Sequence, residues 1–171
     1  MEILTSNTIN LKVHEKTKPY KEAYILPCVV EAEDFDLGGE GAAYYLEEKF
    51  TGVLSDYRSD SVEIQKNIDK YSLVLNEGDW FIYSIVVEND GLYSVKDYDL
   101  NSAGVEFLDE KGERVEGVFF NSLILQQYQN NTFFLSRGRY YLKVYNYVSE
   151  KIVIDNIKID DVIRIGEPYG S

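Results

Sequence analysis

Short runs in which apolar and polar residues alternate recur at intervals of about ten residues, each bounded by Gly, Asn or Asp. Alternation with a period of two puts one set of side chains on each face of a strand, so such a run half-buries itself against a second layer. On this pattern strands are expected over 8–13, 28–35, 62–64, 80–87, 91–98, 105–108, 115–119, 132–135, 139–147 and 151–159. The turns Glu88-Asn89-Asp90-Gly91, Asp109-Glu110-Lys111-Gly112 and Ser136-Arg137-Gly138 place glycine where a hairpin needs a positive φ, which predicts antiparallel neighbours. No segment sustains a 3.6-residue period with caps, and there is neither an internal repeat nor a low-complexity tract. The expected fold is all-β, a two-sheet antiparallel β-sandwich, with helix limited to single turns in loops.

Composition supports strands: 15 Tyr and 8 Phe stand against 3 Pro and 1 Trp. A chain of 171 residues is sized for one core. The sandwich is expected over 28–160, preceded by an N-terminal extension or linker with a peripheral strand over 1–27 and followed by a tail over 161–171. Seventeen basic residues against thirty acidic ones give a net charge of −13, which repels phosphate backbones and anionic lipid, so nucleic acid and membrane are not expected partners. Cys28 is the single cysteine, so no internal disulfide forms; among Leu26, Val29 and Val30 it is expected to be buried and inert. No apolar run reaches the ~18 residues of a membrane-spanning helix, and the first twenty residues lack the apolar stretch of a secretory signal. The polar, unpatterned stretch over 5–20 fits a piece of a longer protein better than a chain kept inside the cell.

The densest chemistry lies in V-E-A-E-D-F-D-L-G-G-E-G-A-A-Y over 30–44. On a strand Glu31 and Glu33 leave the same face about 7 Å apart. Paired carboxylates repel unless a cation joins them, so the pattern points to an acidic metal site. His14 is the only histidine, which removes Ser-His-Asp and Cys-His systems and multi-histidine metal sites. No phosphate-binding glycine motif occurs, and Glu40 within Gly38-Gly39-Glu40-Gly41 has the wrong sign for one. The 109–112 turn is a hairpin tip, without the ligand spacing of an EF-hand. A glycosidase needs only two carboxylates facing each other across a deep cleft, and that reading stays open. In R-Y-Y-L-K-V-Y-N-Y-V, Tyr141, Tyr145 and Tyr147 share a strand face with Lys143, while Tyr140, Leu142, Val144 and Val148 share the other. The tyrosine face is either a platform for a polysaccharide chain or ordinary sheet cover.

Four segments together resemble a family-six carbohydrate-binding module, a galactose-binding-like β-jelly roll usually appended to secreted polysaccharide-active enzymes. They are VEAEDFDLGGEGAAY over 30–44, YRSDSVEI over 57–64, EGDWFIYSIVV over 77–87 followed by GLYSV over 91–95, and LSRGRYYLKV over 135–144 running into IVIDNIKI over 152–159. Their order and gaps carry the similarity over about 29–159. The resemblance implies a structural Ca²⁺ held by Glu31, Glu33 and an acid on the last strand, here Asp155. It also implies a loop cleft in which a Tyr and a Trp sandwich a pyranose ring while an Asn reads its hydroxyls. The Tyr falls on Tyr57. The Trp position falls near Leu123 and the Asn position on Val153, both departures, and Trp80, the only Trp, reads as core. Phe119, Phe120 and Tyr128 are candidates for the missing wall, with Phe120 favoured over the others against the alternative that Phe119 and Phe120 only anchor a strand and loop.

The expected function is therefore non-catalytic binding of a polysaccharide or oligosaccharide, in the service of an appended catalytic domain of an extracellular or periplasmic protein. The alternative is an interaction or spacer domain of a secreted protein that keeps the metal site and has lost sugar binding.

Overall fold

A computed structural model of the chain describes residues 17–96, 103–117 and 131–164, and these form an all-β sandwich. The strands are β1 (Tyr24–Ile25), β2 (Cys28–Glu31), β3 (Tyr44–Tyr45), β4 (Ile64–Asn67), β5 (Lys70–Leu75), β6 (Trp80–Val87), β7 (Gly91–Lys96), β8 (Ala103–Leu108), β9 (Thr132–Leu135), β10 (Gly138–Asn146), β11 (Ile152–Ile154) and β12 (Asn156–Arg164), with a 3-10 turn, η1, over Ala32–Asp34. A five-stranded sheet has the order β1-β6-β10-β8 with β3 also on β6; a three-stranded sheet has the order β11-β5-β4 and a four-stranded sheet the order β2-β12-β7-β9. All pairings are antiparallel except the two-residue match of β1 with β6.

Period-two alternation builds the core. From the five-stranded sheet Phe81, Tyr83, Ile85 and Val87 of β6 and Leu142 and Val144 of β10 join one apolar cluster. Val30, Tyr93, Val95, Ile157 and Ile159 come to it from the four-stranded sheet, and Leu73, Leu75, Ile152 and Ile154 from the three-stranded one. Phe35 fills the space beside η1, edge-on to Phe81 at 4.8 Å and to Tyr44 at 5.5 Å. Each large apolar side chain buried in this way stabilises the fold by about 1.5–3 kcal/mol.

Several elements differ from expectation. The strand expected over 28–35 ends at Glu31, where η1 begins, and the strand expected over 151–159 is divided at Asp155, with β11 in one sheet and β12 in another. Strands β3 and β5 are additional. Residues 72–75 of β5 are buried in succession, so no alternation marks them. The turns at 88–91 and 136–138 carry the chain between sheets instead of closing hairpins. The 109–112 turn does close one: Asp109 Oδ1 accepts the amides of Lys111 and Glu113, both at 2.9 Å, and Gly112 takes φ 81°.

In the segment expected as an extension, Lys18 and Leu37 exchange backbone hydrogen bonds of 3.0 and 2.7 Å before β1 joins the sheet. Strand β12 continues to Arg164, into the expected tail. The strand expected over 8–13 lies outside the described residues, as do the ends of those at 98 and 118–119. Cys28 is half-buried, not fully buried, and desolvation pushes its thiol up to about 12, which keeps it an unreactive thiol. Trp80 is not core: it stands half-buried on the outer face of β6. Among the described residues no helix is long and apolar enough to cross a membrane.

Candidate functional site

The acidic motif turns inward because residues after Glu31 are captured from several directions. Ala32, Glu33, Asp34, Phe35 and Asp36 are all buried. The Tyr83 hydroxyl donates to the Ala32 carbonyl at 2.7 Å, and Asp36 accepts the Ser84 amide at 2.8 Å and its hydroxyl at 2.6 Å. Arg58 does most of the rest. Its guanidinium donates to the carbonyls of Glu33 (3.1 Å), Phe35 (2.6 Å) and Asp36 (3.2 Å), and its Nε to Asp60 (2.6 Å). The same group lies 3.6 Å from the Phe35 ring centroid and 4.3 Å from that of Tyr20. A rigid planar fork suits three backbone acceptors within one short turn better than an ammonium does.

The turn so fixed brings the expected metal residues to one depression. Glu31 on β2 is in register with Asn156 on β12, and the Ala32 amide donates to the Asp155 carbonyl at 3.0 Å. Glu31, Glu33 and Asp155 line the depression with Asp69, Lys70, Tyr71 and Asn156. Glu33 reaches it from η1, not from the strand, so the same-face argument for the pair does not hold although the residues do meet.

Glu33 is 7% exposed, and its Oε2 has no hydrogen-bond partner. Desolvation, then the charges of Glu31 and Asp34, push the Glu33 carboxyl up to about 7. Desolvation and Asp34 also raise Glu31. The Asp155 carboxylate accepts the Ser72 hydroxyl. Among the described residues no three acid, cysteine or histidine side chains close into a coordination sphere. An all-oxygen donor set with one orphaned buried carboxylate oxygen nevertheless has the chemistry that a hard cation such as Ca²⁺ takes.

Tyr57 stands beside this turn. Its hydroxyl donates to Asp34, and its ring stacks on Tyr71 at 4.6 Å and packs at a tilt against Tyr20 at 5.6 Å, with Lys21 Nζ 5.5 Å from the ring centroid. Burial and the Asp34 bond raise its hydroxyl to about 12. Phe120 lies outside the described residues, as do Phe119, Leu123 and Tyr128. Val153, at the expected Asn position, sits on β11 opposite Val74 and is 41% exposed.

A second surface lies on the outer face of the five-stranded sheet. Trp80 on β6 is in register with Tyr45 on β3 and Tyr145 on β10, so the three side chains leave the same side in a row that crosses the strands. The Tyr45 and Trp80 rings stack at 6.1 Å and 21°, with Tyr45 37% exposed. Tyr145 lies over Gly104 of β8, where a Cβ would come within 2.1 Å of its ring. Tyr147, 60% exposed, extends the row at 6.0 Å and a 53° tilt. Tyr141 shares the face, in register with Ser84.

Tyr45 and Arg58 escaped the sequence reading, in which Trp80 reads as core. Both faces of β6 are largely apolar, and a two-residue strand at Tyr44–Tyr45 leaves no period to read. Arg58 sits in polar text with no pattern to mark it as buried. No protein-family model and no curated protein matches this chain.

Proposed function

We propose that this chain is a non-catalytic carbohydrate-binding module of the family-six kind, with one structural Ca²⁺ and a glycan-binding surface on the outer face of the five-stranded sheet. The row of Tyr45, Trp80 and Tyr145 carries this reading. Aromatic faces offer broad apolar area to the C–H faces of pyranose rings. Bound to polysaccharide outside the cell or in the periplasm, the module raises the local concentration of a catalytic domain carried by the same protein. The charge of −13 argues against nucleic acid and anionic membrane as partners.

Glu31, Glu33 and Asp155 would hold the calcium ion, which supplies the positive charge that these crowded, partly desolvated carboxylates lack. In this reading Tyr57, whose hydroxyl and ring both engage the module itself, supports the acidic turn, and Phe120 is retained as the candidate wall of a loop cleft. The engagement of Tyr57 and the exposed Val153 favour a second reading, an interaction domain without sugar affinity.

Affinity electrophoresis against β-glucan, xylan, agarose, polygalacturonate and host glycans separates the two. The expected result is retardation by at least one polymer, reduced tenfold or more by Trp80→Ala at unchanged melting temperature. Equal mobility on every polymer would leave the interaction domain as the surviving reading.

A further inference from the structure

Lys143 leaves β10 on the same side as Tyr145, and its Nζ lies 5.3 Å from the Trp80 ring centroid and 5.8 Å from that of Tyr145. In a chain with thirty acids, Lys21, Lys66, Lys96, Lys151 and Lys158 each have a carboxylate within 4.0 Å. Among the described residues Lys143, like Lys18, Lys49, Lys70 and Lys111, has none, and of these it is the one held over aromatic rings. Glu106 is its neighbour across β8 in register, yet the two form no ion pair. Arg139 follows on the same face of β10, and Arg114, bridged to Leu108, acts on Tyr145. Acids act on the face as well: Glu106 on Tyr145, Glu47, Glu40 and Asp79 on Tyr45, and Asp36 and Glu110 on Tyr141. At Tyr145 the cations Lys143 and Arg114 thus stand against Glu106, whereas the chain as a whole is strongly acidic.

We infer that the aromatic face selects glycans that carry carboxylates, chains of hexuronate residues, with Lys143 pairing to the sugar carboxylate while Trp80 and Tyr45 stack on the ring. The inference rests on the glycan-binding reading above. An ammonium held over ring faces is partly stripped of water, and a neutral sugar stacked there presents C–H groups to it and leaves the charge uncompensated. A carboxylate on the pyranose ring supplies the missing counter-charge as a charge-assisted hydrogen bond. Repulsion from more distant acids is screened beyond about 8 Å at physiological salt, so the cations beside Trp80 and Tyr145 decide.

Titration calorimetry of the full chain with oligogalacturonate, oligomannuronate and their carboxyl-reduced counterparts tests this, with Lys143→Gln, Lys143→Arg and Trp80→Ala alongside and melting temperatures as the check on folding. At least one uronate oligomer should bind about tenfold or more tighter than its reduced form, by the ordinary strength of a hydrogen bond to a charged group. Lys143→Gln should erase that preference and Lys143→Arg keep it. Equal affinity for charged and reduced oligomers, or a preference that survives Lys143→Gln, overturns the inference while the glycan reading stands. Absence of binding to any oligomer, or binding indifferent to Trp80→Ala, removes the aromatic face as a glycan site and this inference with it.

Discussion

Arg58 is 6% exposed, and three of its four hydrogen bonds hold the segment on which Glu33 stands, the fourth going to Asp60. Its loss orphans three buried carbonyls and the Asp60 carboxylate together, so Arg58→Ala should destabilise the fold by about 3–5 kcal/mol in urea denaturation, and Arg58→Lys should restore little of it. Glu33 carries the opposite kind of strain. Its carboxyl is raised from the ordinary 4.5 to about 7, so between those pH values the folded chain binds more protons than the unfolded one. The stabilising contribution of the protonated form is complete below about pH 4.5 and disappears as pH rises through 7. In chelator, then, this residue should lower the melting temperature between pH 5 and pH 8, and Glu33→Gln should flatten that dependence. The acids were legible as a cluster, because carboxylate spacing is visible in sequence. The arginine that positions them was not, because burial of a charged side chain depends on acceptors that only the folded turn assembles.

At the scale of elements, alternation marked most of the strands but not the sheets they join. Across β11 and β12 the buried residues are Ile152 and Ile154, then Ile157 and Ile159. The period of two slips by one residue at Asp155, which turns the buried set to the opposite parity. That slip was present in the sequence and is where the chain passes from one sheet to another; read as one unbroken strand, it concealed why Asp155 lies beside Glu31. Strand β5 left no such trace, since Ser72, Leu73, Val74 and Leu75 are buried one after another. The aromatic row depends on Gly104 of β8, the floor beneath Tyr145. The atoms in the way of a Cβ there are the far end of the tyrosine side chain, which can swing aside. Gly104→Ala should therefore shift stability by no more than about 1 kcal/mol while displacing the ring. Melting temperature and glycan affinity measured on the same variant should part company, with affinity falling at least severalfold.

For the molecule as a whole, a cation bound only by the folded state stabilises by mass action, about 2.7 kcal/mol at a hundredfold excess over its dissociation constant. Scanning calorimetry should show the melting temperature rising with millimolar Ca²⁺ and returning in chelator, with Asp155→Asn reducing the shift; identical melting curves would remove calcium from the account. The position of the depression lined by Glu31, Glu33 and Asp155 also bears on how the fold would yield to tension. Strand β2 starts at Cys28 opposite Ile159 and finishes at Glu31 opposite Asn156, so segments flanking the pair on the Cys28 side emerge together at one end of the ladder. Once β1 has left β6 and the end of β12 has left β7, tension applied through them peels the two strands apart rung by rung, beginning at Cys28 and Ile159, a geometry that yields far more readily than sliding whole strands past each other. Glu31, Glu33 and Asp155 lie at the opposite end of that tear, where a bridging ion would serve as a rip-stop.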